Sequence, residues 1–478
     1  MTPEAPGPDS GPTPGPLEDT QTDEVTLLEQ LSLDVGVAAP ARRTVLDMDR
    51  YQWTVLFAAW LGWGFDIFDS LLFNYVAPTC VPVLLGIPFG TPAAAAATLR
   101  WTGILTSLLL VGWATGGIIF GRIADRLGRT RTLLLTMAMY SVGTAACALA
   151  PNIWWLILFR IVASLGIGGE WVCGAAMVAE VVPEKRRVDA GALLYSAAPT
   201  GLFLATFLVY QIQGVYFRAM PEVAWRYVFL SGLIPAAVTL LVRLMIKEPE
   251  RWKHAVKVAK PGTVSELFSP AYRALTFSGA SMAMINLLVW WSVNAFIPVV
   301  AVGLANRASA GATAVSATVL AEQWKALATN AFGVGTVVGV LLTIPAAKYL
   351  GRRNMYIVYF LGGGLSIMAA FGLPLSPLAR LYMYFPIGVT VWGITASFAF
   401  YLPELFPTRL RGTGSGFCFN LGRYVAAIGP FVVGSIASRG GNALDTAMEA
   451  LFYCGWIPIV GLLLMPWVVE TRNRQLPD

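Results

Sequence analysis

The run Gly121-Arg-Ile-Ala-Asp125-Arg-Leu-Gly128-Arg-Thr-Arg131 ends a long apolar stretch in a dense basic turn, and a degenerate copy returns later as Ala347-Lys-Tyr-Leu-Gly351-Arg352. A second pair behaves in the same way: Glu180-x-x-Pro183-x-x-x-Arg187 returns as Glu404-x-x-Pro407-x-x-x-Arg411. The first copies lie 223 residues apart, from 124 to 347, and the second 224 apart, from 180 to 404. Two unrelated motifs with nearly one offset mark an internal duplication, so the chain divides into two like halves.

Between and beyond these turns the chain is dominated by apolar runs. Of 478 residues, 56% are hydrophobic and 13% charged, and the mean hydropathy is +0.64. Such values belong to a polytopic membrane protein. Six runs long enough to cross a bilayer fall at about 51–79, 100–120, 132–150, 153–182, 188–211 and 225–246, and six more at about 271–302, 324–349, 355–375, 378–402, 412–438 and 447–469. The expected fold is an all-α membrane protein of twelve transmembrane helices in two six-helix halves, 51–246 and 271–470. A tail (1–50), a basic linker (247–270) and a short C-terminal tail (471–478) complete it.

Lys and Arg crowd the turns that follow even-numbered spans, among them Lys348, Arg352, Arg353, Arg409 and Arg411. The opposite loops carry few: Arg218, Arg307, Lys325, Arg380 and Arg439. The positive-inside rule then puts both termini in the cytosol and the chain in the inner (plasma) membrane as a multi-pass protein. The first 44 residues, rich in Pro, Gly, Thr, Asp and Glu, lack a basic segment followed by an apolar core. They read as a disordered cytosolic tail without a cleavable signal.

Several function classes are excluded on the same grounds. The net charge of +6 comes from basic turns that report topology, not from a nucleic-acid-binding patch. Five cysteines (Cys80, Cys147, Cys173, Cys418, Cys454) have no metal-ligand or CxxC spacing, and His254 is the sole histidine. No metal site, cofactor, nucleotide loop or nucleophile–base pair is visible, so the chain is not expected to be an enzyme. Its expected partners are a small solute, protons and the lipid bilayer, and it is expected to be a monomer.

Charges inside the apolar runs therefore stand out, because an intramembrane ionisable residue is a functional candidate by default. Asp66 and Asp69 occupy the middle of the first span, three residues apart and so on one helix face. Two carboxylates this close in a low-dielectric setting cannot both stay comfortably ionised, which leaves one able to carry a proton at neutral pH. The other reading is a structural pair locked by an arginine from another span. Arg160 in span four and Arg423 in span eleven are the buried guanidinium groups available. Arg160 suits the first-span aspartates, with substrate contact as its second reading; Arg423 suits a substrate carboxylate, or else a structural partner in span seven or ten. Glu170 lies ten residues beyond Arg160 and either relays a proton inward or braces a gate. The candidate lining of the cavity is Phe73, Tyr195, Trp290, Trp291, Asn294, Trp392 and Asn420, each of which also suits plain packing. Gly121, Asp125, Arg126, Gly128, Arg129, Glu180, Arg187, Glu404 and Arg411 form a candidate cytosolic gate, with Glu180 and Glu404 expected to latch onto Arg126, Arg129 or Arg187.

At the duplicated turns the chain resembles the major facilitator superfamily, whose loop signature G-x-[LI]-A-D-R-x-G-R is matched by Gly121 to Arg129. The likeness runs over nearly all of Tyr51 to Leu476. Asp66-x-x-Asp69 is similar to the D-G-x-D of aromatic acid/proton symporters, with Ile67 at the glycine. Gly166-Ile-Gly168-Gly-Glu170-Trp171 is similar to the G-x-G-G-E-W of metabolite and sialate/lactate symporters. Ser164 stands where the span-four motif usually begins with Gly, and Lys348 where the first loop copy has Asp125. The resemblance implies a proton-coupled symporter importing a mono- or aromatic carboxylate by rocking of its halves. A single span-one aspartate in sugar symporters favours Asp66 as the proton carrier, and the Gly422-Arg423 pair resembles that of organic-acid symporters. A sugar or polyol symporter and a proton-driven exporter are the alternatives; span seven lacks the paired glutamines of the sugar group.

Overall fold

A computed structural model of the chain describes residues 48–182, 193–233, 263–311 and 313–472, with the single positions 190, 237 and 241. Arg187, most of the tail and most of the linker lie outside the described residues. The chain divides into two units, Met1–Arg50 and Tyr51–Asp478, and the membrane-crossing part of every helix lies in the second.

Ten helices are long and apolar enough to cross a membrane among the described residues. In chain order they are α1 (Arg50–Leu85), α2 (Pro92–Leu127), α4 (Ile153–Val181), α5 (Leu193–Tyr216), α7 (Arg273–Ala308), α8 (Ala314–Tyr349), α9 (Arg352–Gly372), α10 (Pro377–Leu405), α11 (Arg409–Ala437) and α12 (Ala443–Trp467). The third and sixth places are filled by α3 (Arg129–Cys147) and α6 (Pro221–Ser231). The twelve-helix order of the sequence reading is thus the order of the fold.

Local chemistry sets the boundaries. Thr91 caps α2 by accepting the Ala94 N–H, with Pro92 in the first turn, where its missing N–H costs nothing. Asn152 caps α4 through the N–H groups of Trp154 and Trp155. Between α2 and α3 the basic signature is almost wholly helical, broken only at Gly128, whose φ of +101° is costly for any residue with a Cβ. Its copy Gly351, between α8 and α9, has φ +82°. The duplication read from the sequence therefore recurs as one backbone turn made twice.

Several spans run beyond the sequence reading: α5 and α7 continue to Tyr216 and Ala308, and α1, α2 and α8 are also longer. Helix α2 starts at Pro92, where the Ala-rich run 93–97 favours helix, and α1 runs on to Leu85 through an uncharged apolar segment. Helix α8 starts at Ala314, ten residues earlier than expected, so Lys325 lies within the span and not in a loop. Its charge is met by Glu322 one turn away, which makes it tolerable there.

Small residues allow the helices to approach. A Cβ on Gly112 or Gly116 of α2 would collide with Ser164 or Leu165 of α4, and one on Gly168 with the Trp113 carbonyl. Gly64 and Gly201 bring α1 and α5 into backbone contact. Real irregularities occur elsewhere. Helix α7 is interrupted between Asn294 and Ile297, just before Pro298, and π-helical turns lie at Tyr210–Tyr216 and Gly388–Trp392.

The halves meet along two seams. At α2–α11, Gly103 faces Pro430 and Gly434, Ser107 Oγ donates to the Ala427 carbonyl at 2.6 Å, and the Thr115 and Tyr424 hydroxyls are 2.9 Å apart. At α5–α8, Thr206 Oγ1 donates to Thr329 Oγ1 at 3.1 Å.

Candidate functional site

The acidic pair is buried at mid-helix in α1, with Asp66 0% and Asp69 3% exposed. Their surroundings differ. Asp69 Oδ2 accepts the Thr144 hydroxyl of α3 at 2.8 Å. Arg160 of α4, also buried, lies in electrostatic contact with Asp69, but its terminal nitrogens point to the Asp69 and Ser70 carbonyls at 3.4 Å. At that length these are weak bonds, so Arg160 neutralises the neighbourhood without clamping the carboxylate. Glu170 is buried further along α4.

Asp66 instead lies within electrostatic reach of Arg423 of α11. Arg423 is 2% exposed and donates to Asn420 Oδ1, one turn back, at 2.9 Å. Its guanidinium carbon lies 4.5 Å from the Trp113 ring centre and 4.7 Å from that of Phe419. A planar cation held over two aromatic rings keeps its in-plane N–H edge available for an acceptor.

From that cation an aromatic wall extends both ways. Trp113 meets Trp63 at 6.2 Å, and Trp63 meets Tyr195 at 6.1 Å. Across the seam Trp113 meets Trp291 edge-on at 6.0 Å, Trp291 meets Trp290 at 4.2 Å, and Trp290 meets Trp392 at 4.4 Å. The π turn Gly388–Trp392 carries the last of these rings, and Trp290 and Trp291 lie in the regular part of α7, just before its break after Asn294. Trp113 Nε1, Trp290 Nε1 and Asn294 Nδ2 are buried donors with no hydrogen bond in the structure. Trp113 is the one of these that lies beside the Arg423 guanidinium, and an unmet donor there suits a ligand with acceptor oxygens.

Of the residues expected to line a cavity, Arg423, Asn420, Tyr195, Trp290, Trp291 and Trp392 join this one connected set. Asn294 lies on the same helix as the tryptophan pair, and Phe73 is buried in α1, seven residues beyond Asp66. Trp63, Trp113 and Phe419 are central to the set and are not distinguished by the sequence alone. Asn286, which donates to Thr395 at 2.8 Å, adds a polar α7–α10 tie.

At the basic end, Glu404 accepts from Arg352 Nη2 at 2.7 Å and Nε at 3.2 Å, and from Thr471 at 2.6 Å. These partners belong to its own half, not to the Arg126, Arg129 or Arg187 side expected. Arg411 Nε donates to the Pro403 carbonyl at 3.2 Å. Gly121 lies inside α2 and Gly128 forms its end. The side chains of Asp125, Arg126, Arg129 and Glu180 lie outside the described residues. Nearby, the Arg409 guanidinium holds the Glu266 carboxyl below the usual carboxylate range.

Among the described residues no cluster of His, Cys, Asp and Glu could hold a metal ion. Residues 53–430 match the sequence profile of the Major Facilitator Superfamily. The cis,cis-muconate transport protein of Acinetobacter baylyi is 29% identical over 366 residues, covering 74% of this chain and 84% of that protein. The gentisate transporter of Corynebacterium glutamicum is 26% identical over 386 residues, covering 79% and 80%. A D-xylose-proton symporter structure superposes with a TM-score of 0.68 at 18% identity, over 89% of this chain and 100% of that one.

Proposed function

Because the chain belongs to the Major Facilitator Superfamily, we propose that this transporter imports a small organic acid anion together with a proton, by alternating access of its two halves. The observation that carries the reading is Arg423, buried at the seam on Trp113 and Phe419 with Asp66 in electrostatic reach. A solute carboxylate is the partner that a guanidinium edge in this setting is shaped to take, and the indole wall suits a flat or unsaturated body. Relatives named for muconate and gentisate support the same substrate class.

Coupling follows from competition for one cation. With Asp66 ionised, Arg423 has a resident counter-charge and an incoming carboxylate meets repulsion. A proton on Asp66 removes that charge, and the anion takes its place beside Arg423. Proton and solute then each raise the other's affinity, as linkage requires. Asp69, tied to Thr144 and beside Arg160, serves to fix the local field or pass the proton on.

Energetics favours joint movement. Importing one negative charge against an inside-negative potential costs about 2.3 kcal/mol per 100 mV, and a proton travelling with it cancels that charge. Each unit of inward pH gradient then adds about 1.4 kcal/mol of drive. In this reading the basic turns face the cytosol and the membrane is the inner (plasma) membrane. The residues at the basic end, Glu404 with Arg352 among them, fasten the cytosolic ends of the helices within a half.

Uptake into proteoliposomes tests it, with a panel of muconate, gentisate, benzoate, lactate, sialate and hexoses, each with and without an imposed pH gradient. Accumulation of a carboxylate that rises with an inward proton gradient is expected. Movement of a neutral hexose alone would sink the anion reading, and gradient-independent carboxylate uptake would sink the coupling.

A further inference from the structure

Away from the Arg423 site, toward the end remote from the basic turns, Lys325 of α8 is buried in the seam at 2% exposure. All three of its N–H groups are met: by Glu322 Oε1 at 2.7 Å, by Gln213 Oε1 of α5 at 3.0 Å, and by the Tyr75 carbonyl of α1 at 3.0 Å. Gln213 itself donates to Thr79 Oγ1 of α1 at 2.9 Å. One turn deeper, Thr206 links the Tyr75 hydroxyl, at 3.2 Å, to Thr329, at 3.1 Å. A single cation thus ties α8 of the second half to both α1 and α5 of the first.

We propose that Lys325, carried by its ion pair with Glu322, is the outer latch of the transport cycle, and that it must release Tyr75 and Gln213 before the seam opens to the outside. The division of partners makes such a latch reversible. Had the carboxylate sat on the opposite half, opening would strip a buried charge of its counter-ion, which is strongly unfavourable. Here Glu322 is on the same helix, three residues back, and moves with Lys325. Opening gives up only the two hydrogen bonds to uncharged oxygens, and the pair that meets water is already neutralised.

The backbone around the latch is adapted to it. Gln213 sits inside the π turn Tyr210–Tyr216, and turns of this kind recur at functional positions. Gly214 next to it lets α5 approach Glu322; an added Cβ would lie 3.1 Å from the Glu322 Cβ. In α1, Pro78 has no N–H to offer the Asn74 carbonyl, which loosens the turn that presents the Tyr75 carbonyl to Lys325.

The proposal rests on the alternating-access reading, but its test needs no solute, so a wrong cargo leaves it standing or falling on its own. Thr329→Cys places a thiol one turn deeper than Lys325 in the seam, and a membrane-impermeant maleimide in right-side-out vesicles reads its exposure, with labelling of the parent chain subtracted. Gln213→Leu should raise the labelling rate about tenfold, and Glu322→Gln combined with Lys325→Gln should raise it further, while Lys325→Arg should stay near the parent rate. Rates within twofold of the parent in both weakened variants would overturn the latch. Faster labelling confined to inverted vesicles would overturn its outer position. If the doubly neutral variant fails to give a monodisperse protein, Gln213→Leu, which removes no charge, decides alone.

Discussion

Arg423 and Trp113 come from opposite halves of the molecule, yet the guanidinium carbon of one lies 4.5 Å from the ring centre of the other. The contact therefore belongs to the seam and to the site together. Whatever binds at the arginine edge also bears on how the halves meet.

Replacing Arg423 by Lys keeps the charge and removes both the planar fork and the ring stacking. An exposed-to-desolvated cation–π contact contributes about 0.5–2 kcal/mol, and the bidentate geometry adds to it. Uptake by Arg423→Lys should show a half-saturating anion concentration raised about tenfold or more. An unchanged value would make Arg423 a packing residue.

Trp113→Phe retains a ring under Arg423 but loses the Nε1 donor, whereas Trp113→Ala loses both. Graded weakening of solute binding, modest for Phe and about an order of magnitude larger for Ala, is the expected pattern by equilibrium titration. Equal losses in the two variants would mean that the ring face contributes nothing.

Asp66→Asn should abolish accumulation driven by a pH gradient while leaving counterflow of labelled solute, because exchange needs no net proton movement. Asp69→Asn should also impair accumulation, and Thr144→Val less so, since it removes one hydrogen bond to Asp69. Retained proton-driven accumulation in both Asn variants and in their combination would move the coupling elsewhere, first to Glu170.

Glu470 offers a pH test outside the membrane. Partial burial alone would raise its carboxyl, but the backbone N–H groups of Arg352, Arg472 and Arg353 and the Arg352 charge hold it below the ordinary carboxylate range. A depressed folded-state value means that the stabilisation is present above the unfolded value, about 4.3, and is lost as pH falls through the lower folded one. Thermal unfolding of the wild-type chain and Glu470→Gln should therefore differ at pH 7, by about 1 kcal/mol or less given screening by water, and converge as pH falls through the lowered folded-state value. A gap that widens on acidification would contradict this assignment.

Gly351→Ala should destabilise more than an ordinary surface Gly→Ala change, by about 1–2 kcal/mol, because φ +82° disfavours a side chain and the new Cβ would meet Glu470 Oε2 at 2.8 Å. Chemical denaturation of the detergent-solubilised protein measures it.

The twelve-span order, the duplication and the intramembrane burial of Asp66, Asp69, Arg160 and Arg423 are legible in the sequence because each is a local contrast: charge in an apolar run, or a motif with its copy. Relationships set by packing between distant helices are not. Trp113 looks like any interior tryptophan until α2 and α11 close on one another across Gly103 and Gly434. Lys325 reads as a loop residue because hydropathy counts a charge without its partner, whereas Glu322 three residues earlier neutralises it inside the helix. The partner of Glu404 depends on which basic turn folds over it, and Arg352 of its own half does so.

The indole contacts give the molecule a spectroscopic voice. Trp113 and Trp291 face each other edge-on at 6.0 Å and 77° across the seam, and Trp291 continues to Trp290 and Trp392. Near-ultraviolet circular dichroism senses the fixed, chiral arrangement of such rings. Parting the halves would separate the first pair and leave the others together, so the protein's own chromophores report any such movement in solution without an attached dye.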